Sequence, residues 1–202
     1  MTSIYDLKPK FQNLLRPLNS KLVDNGVTAN HITILAMLIS FIAGGFIVLF
    51  PEQRWPLLLV PVVLFVRMAL NAIDGMLARE HNMKSSLGAV LNELGDVLSD
   101  VALYLPLALV AGVNATWLVL VVILSIVSEM AGVVAIQIGA ERRYDGPMGK
   151  SDRAFLFGVI SLVLGLGFSP APWLTYLLII MFGLLCLTIY NRARNALSEN
   201  SQ

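Results

Sequence analysis

Carboxylate and amide side chains recur at helical spacing between positions 71 and 100 of this 202-residue chain. Asn71 and Asp74 are three residues apart and share one face of a helix. Asn92, Asp96 and Asp100 follow one another by four and share another face. Oxygen ligands without His or Cys are typical of sites for hard cations such as Mg²⁺, Mn²⁺ or Ca²⁺. Because a cation held there would attract a phosphate-bearing substrate, the pattern predicts metal-assisted phosphoryl transfer.

Small residues and one arginine accompany these polar groups. Gly75, Ala78 and Gly88 remove side chains, which lets a flat or bulky ligand approach the helix backbone. Arg79 supplies a planar donor for a phosphate. Each residue alone is also compatible with ordinary helix packing, but together they favour a phosphate-binding site.

The composition indicates which elements must position this site. Hydrophobic residues make up 57% of the chain and charged residues 13%, about half the charged content of a soluble domain. The formal net charge of +1 argues against a nucleic-acid partner. The apolar blocks approach the ~20 residues that cross a bilayer, so we predict an all-α polytopic membrane protein with six transmembrane helices. The predicted spans are Ile32–Phe50, Trp55–Ile73, Leu87–Val110, Trp117–Ala140, Ala154–Phe168 and Trp173–Tyr190.

The segment before the first span is predicted to be an amphipathic helix on the cytoplasmic membrane surface. Its apolar residues recur every three or four positions: Ile4, Leu7, Phe11, Leu14, Leu15, Leu18 and Leu22. Packing of this face against the helix bundle is the alternative. The predicted organisation is therefore an amphipathic segment at 1–30, a transmembrane catalytic domain at 31–191 and a short cytoplasmic tail at 192–202.

The distribution of basic residues predicts the orientation. With both termini in the cytoplasm, twelve of the fourteen basic residues face the cytoplasm, whereas Arg54 is external and Arg67 lies within a span. The polar site is then near the cytoplasmic surface.

The motif Asn71-x2-Asp74-Gly75-x2-Ala78-Arg79-x8-Gly88-x3-Asn92-x3-Asp96 resembles the signature of the CDP-alcohol phosphatidyltransferases. The family pattern is Asp-x2-Asp-Gly-x2-Ala-Arg-x8-Gly-x3-Asp-x3-Asp, so all spacings agree and two of the four aspartates are replaced by asparagine. The chain is most similar to a bacterial inner-membrane branch of this family. The resemblance implies a multi-pass inner-membrane enzyme of phospholipid biosynthesis, homodimeric, with its active site facing the cytoplasm.

The resemblance also implies a reaction and roles for the motif residues. The reaction transfers a phosphatidyl group from CDP-diacylglycerol or a related CDP-alcohol to the hydroxyl of a small polar acceptor, and releases CMP. Asp96 matches the catalytic position. The expected metal ligands are Asn71, Asp74, Asn92 and Asp96, and the expected CDP-binding residues are Asp74, Gly75, Ala78, Arg79 and Gly88.

The two asparagines remove two negative charges from the expected metal site. We therefore expect one tightly held Mg²⁺ or Mn²⁺ ion, and the sequence leaves the binding of a second ion open. Glu93 and Asp100 are candidates to restore the missing negative charge. A catalytically impaired relative that acts as a membrane scaffold is one alternative. A small cation or lipid transporter is the other.

Basic residues near the predicted fifth span are candidates for the acceptor site. Arg142, Arg143, Lys150 and Arg153 offer cationic donors, which favour a phosphorylated polyol such as glycerol 3-phosphate. Glu129 is compatible with two positions: it faces the same cavity or it pairs with Arg67.

Overall fold

The computed structural model describes residues 4–170 and 172–199, with side chains from residue 11 onward. Within these residues every regular element is helical, which confirms the all-α prediction. The α-helices are α1 Ile4–Asp24, α2 Ala29–Leu49, α3 Trp55–Glu80, α4 Ser86–Tyr104, α5 Ala115–Val134, α6 Lys150–Gly165 and α7 Trp173–Glu199. Short 3-10 helices at Leu105–Leu109 and Ala135–Ile138 extend α4 and α5.

Each of the six predicted spans falls on one helix from α2 to α7. In the described chain, four of these are long and apolar enough to cross a membrane: α2, α3, α7, and α5 together with its 3-10 extension. The other two differ for physical reasons. Helix α4 carries three carboxylates, and α6 has 16 residues, about 24 Å at 1.5 Å per residue, which is less than the ~30 Å hydrocarbon core. The chain is therefore a membrane protein, and six complete spans remain a prediction.

Side chains before the helices fix where several of them begin. The backbone N–H of His31 donates to Thr28 Oγ1 at 3.4 Å, that of Gly88 to Ser85 Oγ at 2.9 Å, and that of Trp117 to Asn114 Oδ1 at 3.2 Å. Such caps satisfy a backbone N–H that has no partner inside the helix. The Ser85 cap thus fixes the first turn of α4, which contains Gly88.

The chain divides into two compact units. Unit 1 comprises the chain up to Ile42 together with Val62–Ser99, and unit 2 comprises Ala43–Pro61 together with the chain from Asp100 onward. The divisions fall inside α2, α3 and α4, so these three helices contribute to both units.

Unit 1 has an apolar cluster of Ala29, Ile32, Ile73 and Leu77, which joins the first turns of α2 to the last turns of α3. Because α2 and α3 are antiparallel neighbours here, the start of one is held against the end of the other. The polar residues of these turns are thereby fixed around a common space.

Helix α1 has apolar residues on two faces. Leu15 and Leu22 pack against the unit 1 cluster, as the packing alternative expects, whereas Leu14 is 76% exposed and Leu18 47% exposed. The apolar residues Ile4 and Leu7 lie outside the described side chains. Contact between α1 and the membrane surface remains a prediction.

Unit 2 contains close helix contacts that depend on small or flat side chains. A Cβ on Gly44 would overlap the carbonyl oxygen of Ala102, so α2 and α4 can approach this closely only with glycine at position 44. The rings of Tyr104 and Phe157 stack at 4.0 Å between centroids, which joins the end of α4 to α6. These contacts set the positions of α4 and α6, from which charged residues of unit 2 project.

Candidate functional site

Unit 1 contains a cavity of about 480 Å³ between the first turns of α2, the last turns of α3 and the first turns of α4. Its lining includes seven of the residues predicted to bind metal or nucleotide. These are Asn71, Asp74, Gly75, Ala78, Arg79, Gly88 and Asn92. The structure therefore brings most of the motif to one space.

Asp74 is held at this cavity by a residue from another helix. Its side chain is buried, with the residue 8% exposed, and its Oδ2 accepts a hydrogen bond from Thr33 Oγ1 at 3.0 Å. Thr33 also lines the cavity. Thr33 is not among the residues that the sequence predicts for the site, because the spacing along α2 indicates its face but not the helix that packs there.

Two side chains of α3 contact Asp96, which lies on α4. Asn71 Nδ2 donates to Asp96 Oδ1 at 3.3 Å, and Arg67 Nη2 lies 3.7 Å from the same oxygen. Arg67 also donates to the backbone oxygen of Asp96 at 3.5 Å. Arg67 was predicted only as a residue within a span. Its positions four before Asn71 and seven before Asp74 are the sequence signal that it shares their helix face.

Two glycines let polar groups lie close to the helix backbone at the cavity. A Cβ on Gly88 would lie 2.8 Å from Asn30 Oδ1, and a Cβ on Gly75 would lie 3.1 Å from Arg79 Nη2. Lys84 is exposed and lines the same cavity, which adds a second cation beside Arg79. From the sequence alone, Lys84 is predicted only as one of the cytoplasmic basic residues that indicate the orientation.

The donor chemistry of the four predicted ligands fits a hard divalent cation. Asp74 and Asp96 contribute carboxylates, and Asn71 and Asn92 contribute amides. No group of three His, Cys, Asp or Glu side chains in the described chain is arranged to hold a metal, so a cation here needs the amide oxygens. An amide reverses its oxygen and nitrogen by a half-turn, so Asn71 can present oxygen as well as the nitrogen that now faces Asp96.

A second polar cluster lies in unit 2, around the carboxylate of Glu129. Arg153 Nη2 is 2.9 Å and Arg192 Nη1 is 3.4 Å from Glu129 Oε1, and Arg142 Nη2 is 3.4 Å from Oε2. Asp100 Oδ2 lies 3.6 Å from Arg153 Nη2. We call these five residues the arginine cluster. Its three guanidinium groups and two carboxylates leave one net positive charge.

The arginine cluster contains some of the predicted acceptor residues and one that the sequence analysis missed. Arg142 and Arg153 belong to it, and Arg153 and Arg192 are each only 1% exposed. Arg192 was assigned to the cytoplasmic tail, but α7 continues to Glu199 and its last turns are packed. Glu129 pairs with arginines within unit 2, and Arg67 pairs with Asp96 within unit 1.

Arg143, a predicted acceptor residue, instead ties the loop after α5 to α7. Its Nε donates to Asp145 Oδ2 at 2.8 Å and its Nη1 donates to Glu199 Oε2 at 2.6 Å. The hydrogen bond from Arg143, with another from Asn195, lowers the pKa of Asp145 below its usual value, and Asp145 raises the pKa of Arg143. Lys150 begins α6 at the end of this loop.

Comparison with known sequences gives the following matches. The sequence profile described as CDP-alcohol phosphatidyltransferase matches residues 26–198. The inner membrane protein YnbA of Escherichia coli is 45% identical over 200 residues, which cover 99% of each chain. Archaetidylinositol phosphate synthase of Pyrococcus horikoshii is 31% identical over 103 residues, or 51% of this chain and 52% of that protein.

Two solved structures have the same fold. Both are of phosphatidylinositol phosphate synthase from Mycobacterium tuberculosis, at 22% sequence identity. The complex with manganese and citrate has a TM-score of 0.74 and covers 89% of this chain and 87% of that chain. The form with CDP-DAG bound has a TM-score of 0.69 and covers 91% and 92%. Together with the profile, these matches confirm the resemblance that the motif indicated.

Proposed function

Because the chain belongs to the CDP-alcohol phosphatidyltransferase family, we propose that it transfers a phosphatidyl group from CDP-diacylglycerol, or a similar CDP-alcohol, to an acceptor hydroxyl. The observation that carries this proposal is the unit 1 cavity, where the motif residues of α3 and α4 meet. The enzymes of this family are transferases of phospholipid biosynthesis and use divalent cations.

The cavity has the groups that a CDP-lipid requires. Arg79 and Lys84 are cations that can bind the pyrophosphate, and Gly75 and Gly88 leave space for a flat base against the helix backbone. The CDP-DAG bound to the mycobacterial structure of the same fold supports this assignment.

One Mg²⁺ or Mn²⁺ ion fits the same cavity. Asn71, Asp74, Asn92 and Asp96 would hold it, and when bound it would offset the negative charge on the phosphates. The manganese in the mycobacterial structure supports this proposal. Thr33 orients the Asp74 carboxylate, and Asn71 orients the carboxylate of Asp96.

In the proposed reaction, the acceptor oxygen attacks the phosphorus that carries the diacylglycerol. The bond from this phosphorus to the oxygen that bridges the two phosphates breaks, and CMP leaves with that oxygen. Asp96 takes the proton of the acceptor hydroxyl, for which it must lie within hydrogen-bond distance of that hydroxyl. Its side chain is 24% exposed, so one carboxylate face remains accessible.

We assign the acceptor to the basic groups that begin α6 and precede it. The arginine cluster carries one net positive charge, and Lys150 lies three residues before Arg153. This charge favours an anionic acceptor, such as glycerol 3-phosphate or another polyol phosphate. Glu129 already holds two of these arginines through one oxygen, so an acceptor phosphate has to share them with Glu129.

The proposed setting is the bacterial inner membrane, with both termini and the active site facing the cytoplasm and two copies forming a homodimer. The 45% identity to an inner membrane protein over nearly the whole chain supports the location. A role as a membrane scaffold without catalysis is the second candidate, because asparagine replaces aspartate at two metal positions.

The proposal is tested by incubating the purified chain in lipid nanodiscs with CDP-diacylglycerol, Mn²⁺ and a panel of acceptors, and measuring CMP. We expect acceptor-dependent CMP release that Asp96→Asn abolishes. Glu52→Gln is the matched control, because Glu52 is an exposed carboxylate in the loop between α2 and α3. If no acceptor yields CMP, or if Asp96→Asn releases as much as the wild type, the proposed activity is wrong.

A further inference from the structure

Arg67 is a buried charged residue in the apolar helix α3, only 3% exposed. A guanidinium within a membrane span is costly unless a partner of opposite charge compensates it. The catalytic roles proposed above do not include this residue. Its place in the fold therefore requires a separate explanation.

Arg67 contacts Asp96 at two points. Its Nη2 lies 3.7 Å from Asp96 Oδ1 and donates to the Asp96 backbone oxygen at 3.5 Å. Asn71, one helical turn later on α3, donates to the same Oδ1 at 3.3 Å. One oxygen of Asp96 thus receives both a full positive charge and an amide N–H from the same face of α3.

The charges at the predicted metal ligands determine how many divalent cations they can neutralise. Asp74 and Asp96 contribute two negative charges and Arg67, paired with Asp96, contributes one positive charge, a sum of −1 for these three residues that does not include the cavity-lining cations Arg79 and Lys84. One divalent cation changes this to +1, which suits an anionic pyrophosphate. A second divalent cation would raise it to +3 and would lie against the guanidinium at Asp96.

We infer that Arg67 is the fixed cation of this site. Its guanidinium takes the place of a second divalent ion beside Asp96 and so limits the cavity to one tightly bound metal. Arg67 acts as a positioning residue, because it contacts the Asp96 carboxylate and is not among the residues that line the cavity. Asn71 completes the arrangement, since its amide donates to Asp96 where a carboxylate at position 71 would repel it. This inference rests on the proposed function only in that the cavity binds a divalent cation.

The test counts Mn²⁺ ions bound by the full chain in nanodiscs, by electron paramagnetic resonance and calorimetry, with no substrate present. The wild type is expected to bind one ion tightly. The Asn71→Asp/Asn92→Asp variant restores two carboxylates but keeps Arg67. We expect its second ion to bind at least tenfold more weakly than in the triple variant that also carries Arg67→Gln.

The matched control is the corresponding triple variant with Arg67→Lys, which keeps the positive charge and should keep the second ion weak. Gel filtration and thermal melting establish that each variant is folded. Two tight ions in the wild type overturn the inference, and this result needs no variant to fold. Equal binding of the second ion with and without Arg67 overturns it as well.

The metal count is independent of catalysis. If the wild type binds one Mn²⁺ ion and releases no CMP, the proposed transferase activity fails and the role of Arg67 stands. If it releases CMP and binds two ions equally well, the role of Arg67 fails and the activity stands.

Discussion

The Arg153 guanidinium of α6 lies 2.9 Å from the carboxylate of Glu129 on α5, and both residues are buried. Asp100 lies 3.6 Å from the same nitrogen of Arg153, so two carboxylates share this guanidinium. A buried charge that loses its partner is strongly destabilising. This arrangement makes Arg153 a structural centre of unit 2 as well as a proposed acceptor residue.

We predict that Arg153→Ala lowers the free energy of unfolding by about 3 kcal/mol, because Glu129 and Asp100 lose their shared guanidinium while Glu129 keeps Arg142 and Arg192. The control is Arg16→Ala, which breaks an exposed pair with Glu80 and should cost less than about 1 kcal/mol. Denaturant titration in detergent micelles measures both. Equal losses in the two variants would contradict a structural role for Arg153.

Lys150 and Lys84 are predicted to affect different substrates. Lys150 begins α6 and is assigned to the acceptor, whereas Lys84 lines the cavity assigned to CDP-diacylglycerol. Lys150→Ala should raise the KM for glycerol 3-phosphate about tenfold and leave the KM for CDP-diacylglycerol unchanged, since a charged hydrogen bond contributes ~1.5–3 kcal/mol. Lys84→Ala should raise the KM for CDP-diacylglycerol and leave the KM for glycerol 3-phosphate unchanged. Initial rates of CMP release at varied substrate concentrations measure both KM values. If either variant changes the two KM values equally, the assignment is wrong.

Spacing within one helix correctly predicted which motif residues of α3 share a face. Asn71 and Asp74 share a face of α3 and line one cavity, as their separation by three residues predicts. The extent of α7 was not predicted, because Arg192 follows the apolar run and reads as a tail residue. In the structure its guanidinium is buried against Glu129, which keeps the helix ordered beyond the apolar part.

Residue spacing did not predict the contacts between helices. The hydroxyl of Thr33 reaches Asp74 across 41 positions of sequence, and the amide of Asn71 reaches Asp96 across 25. Periodicity assigns each residue to a face of its own helix, but the choice of the facing helix depends on packing of the whole unit. For the same reason the sequence left two positions open for Glu129.

The hydroxyl of Thr33 is predicted to tune the metal site. Thr33→Val keeps the side-chain shape but removes the donor to Asp74, a charged hydrogen bond of ~1.5–3 kcal/mol. We expect the Kd for Mn²⁺ to rise at least threefold, because the carboxylate loses its fixed orientation. Thr33→Ser retains the hydroxyl and should bind Mn²⁺ like the wild type. A Thr33→Val variant with unchanged Mn²⁺ affinity would show that the hydrogen bond does not position a ligand.

Asp145 is predicted to make the loop after α5 sensitive to acid. Hydrogen bonds from Arg143 lower its pKa in the folded state below the usual 3.8. Its stabilising contribution is therefore complete above about pH 4 and is lost as the pH falls through the lowered pKa. Because the pair is partly exposed to solvent, the effect should be small and should shrink in high salt. Hydrogen exchange of residues 141–149 between pH 5 and pH 2.5, corrected for intrinsic rates, should show extra opening at low pH that Asp145→Asn makes independent of pH.

Gly88 is predicted to be essential for the shape of the cavity. In Gly88→Ala the new Cβ would meet Asn30 Oδ1 at 2.8 Å and Ser85 Oγ at 3.0 Å, so these two cavity-lining groups must shift at the space assigned to the nucleotide. We expect CDP-diacylglycerol to bind at least tenfold more weakly, measured by calorimetry in nanodiscs. Gly45→Ala is the matched control, because a Cβ there meets nothing within 4 Å and alanine stabilises a helix interior by roughly 0.5–1 kcal/mol. If both variants bind the CDP-lipid like the wild type, the first turn of α4 is not part of its site.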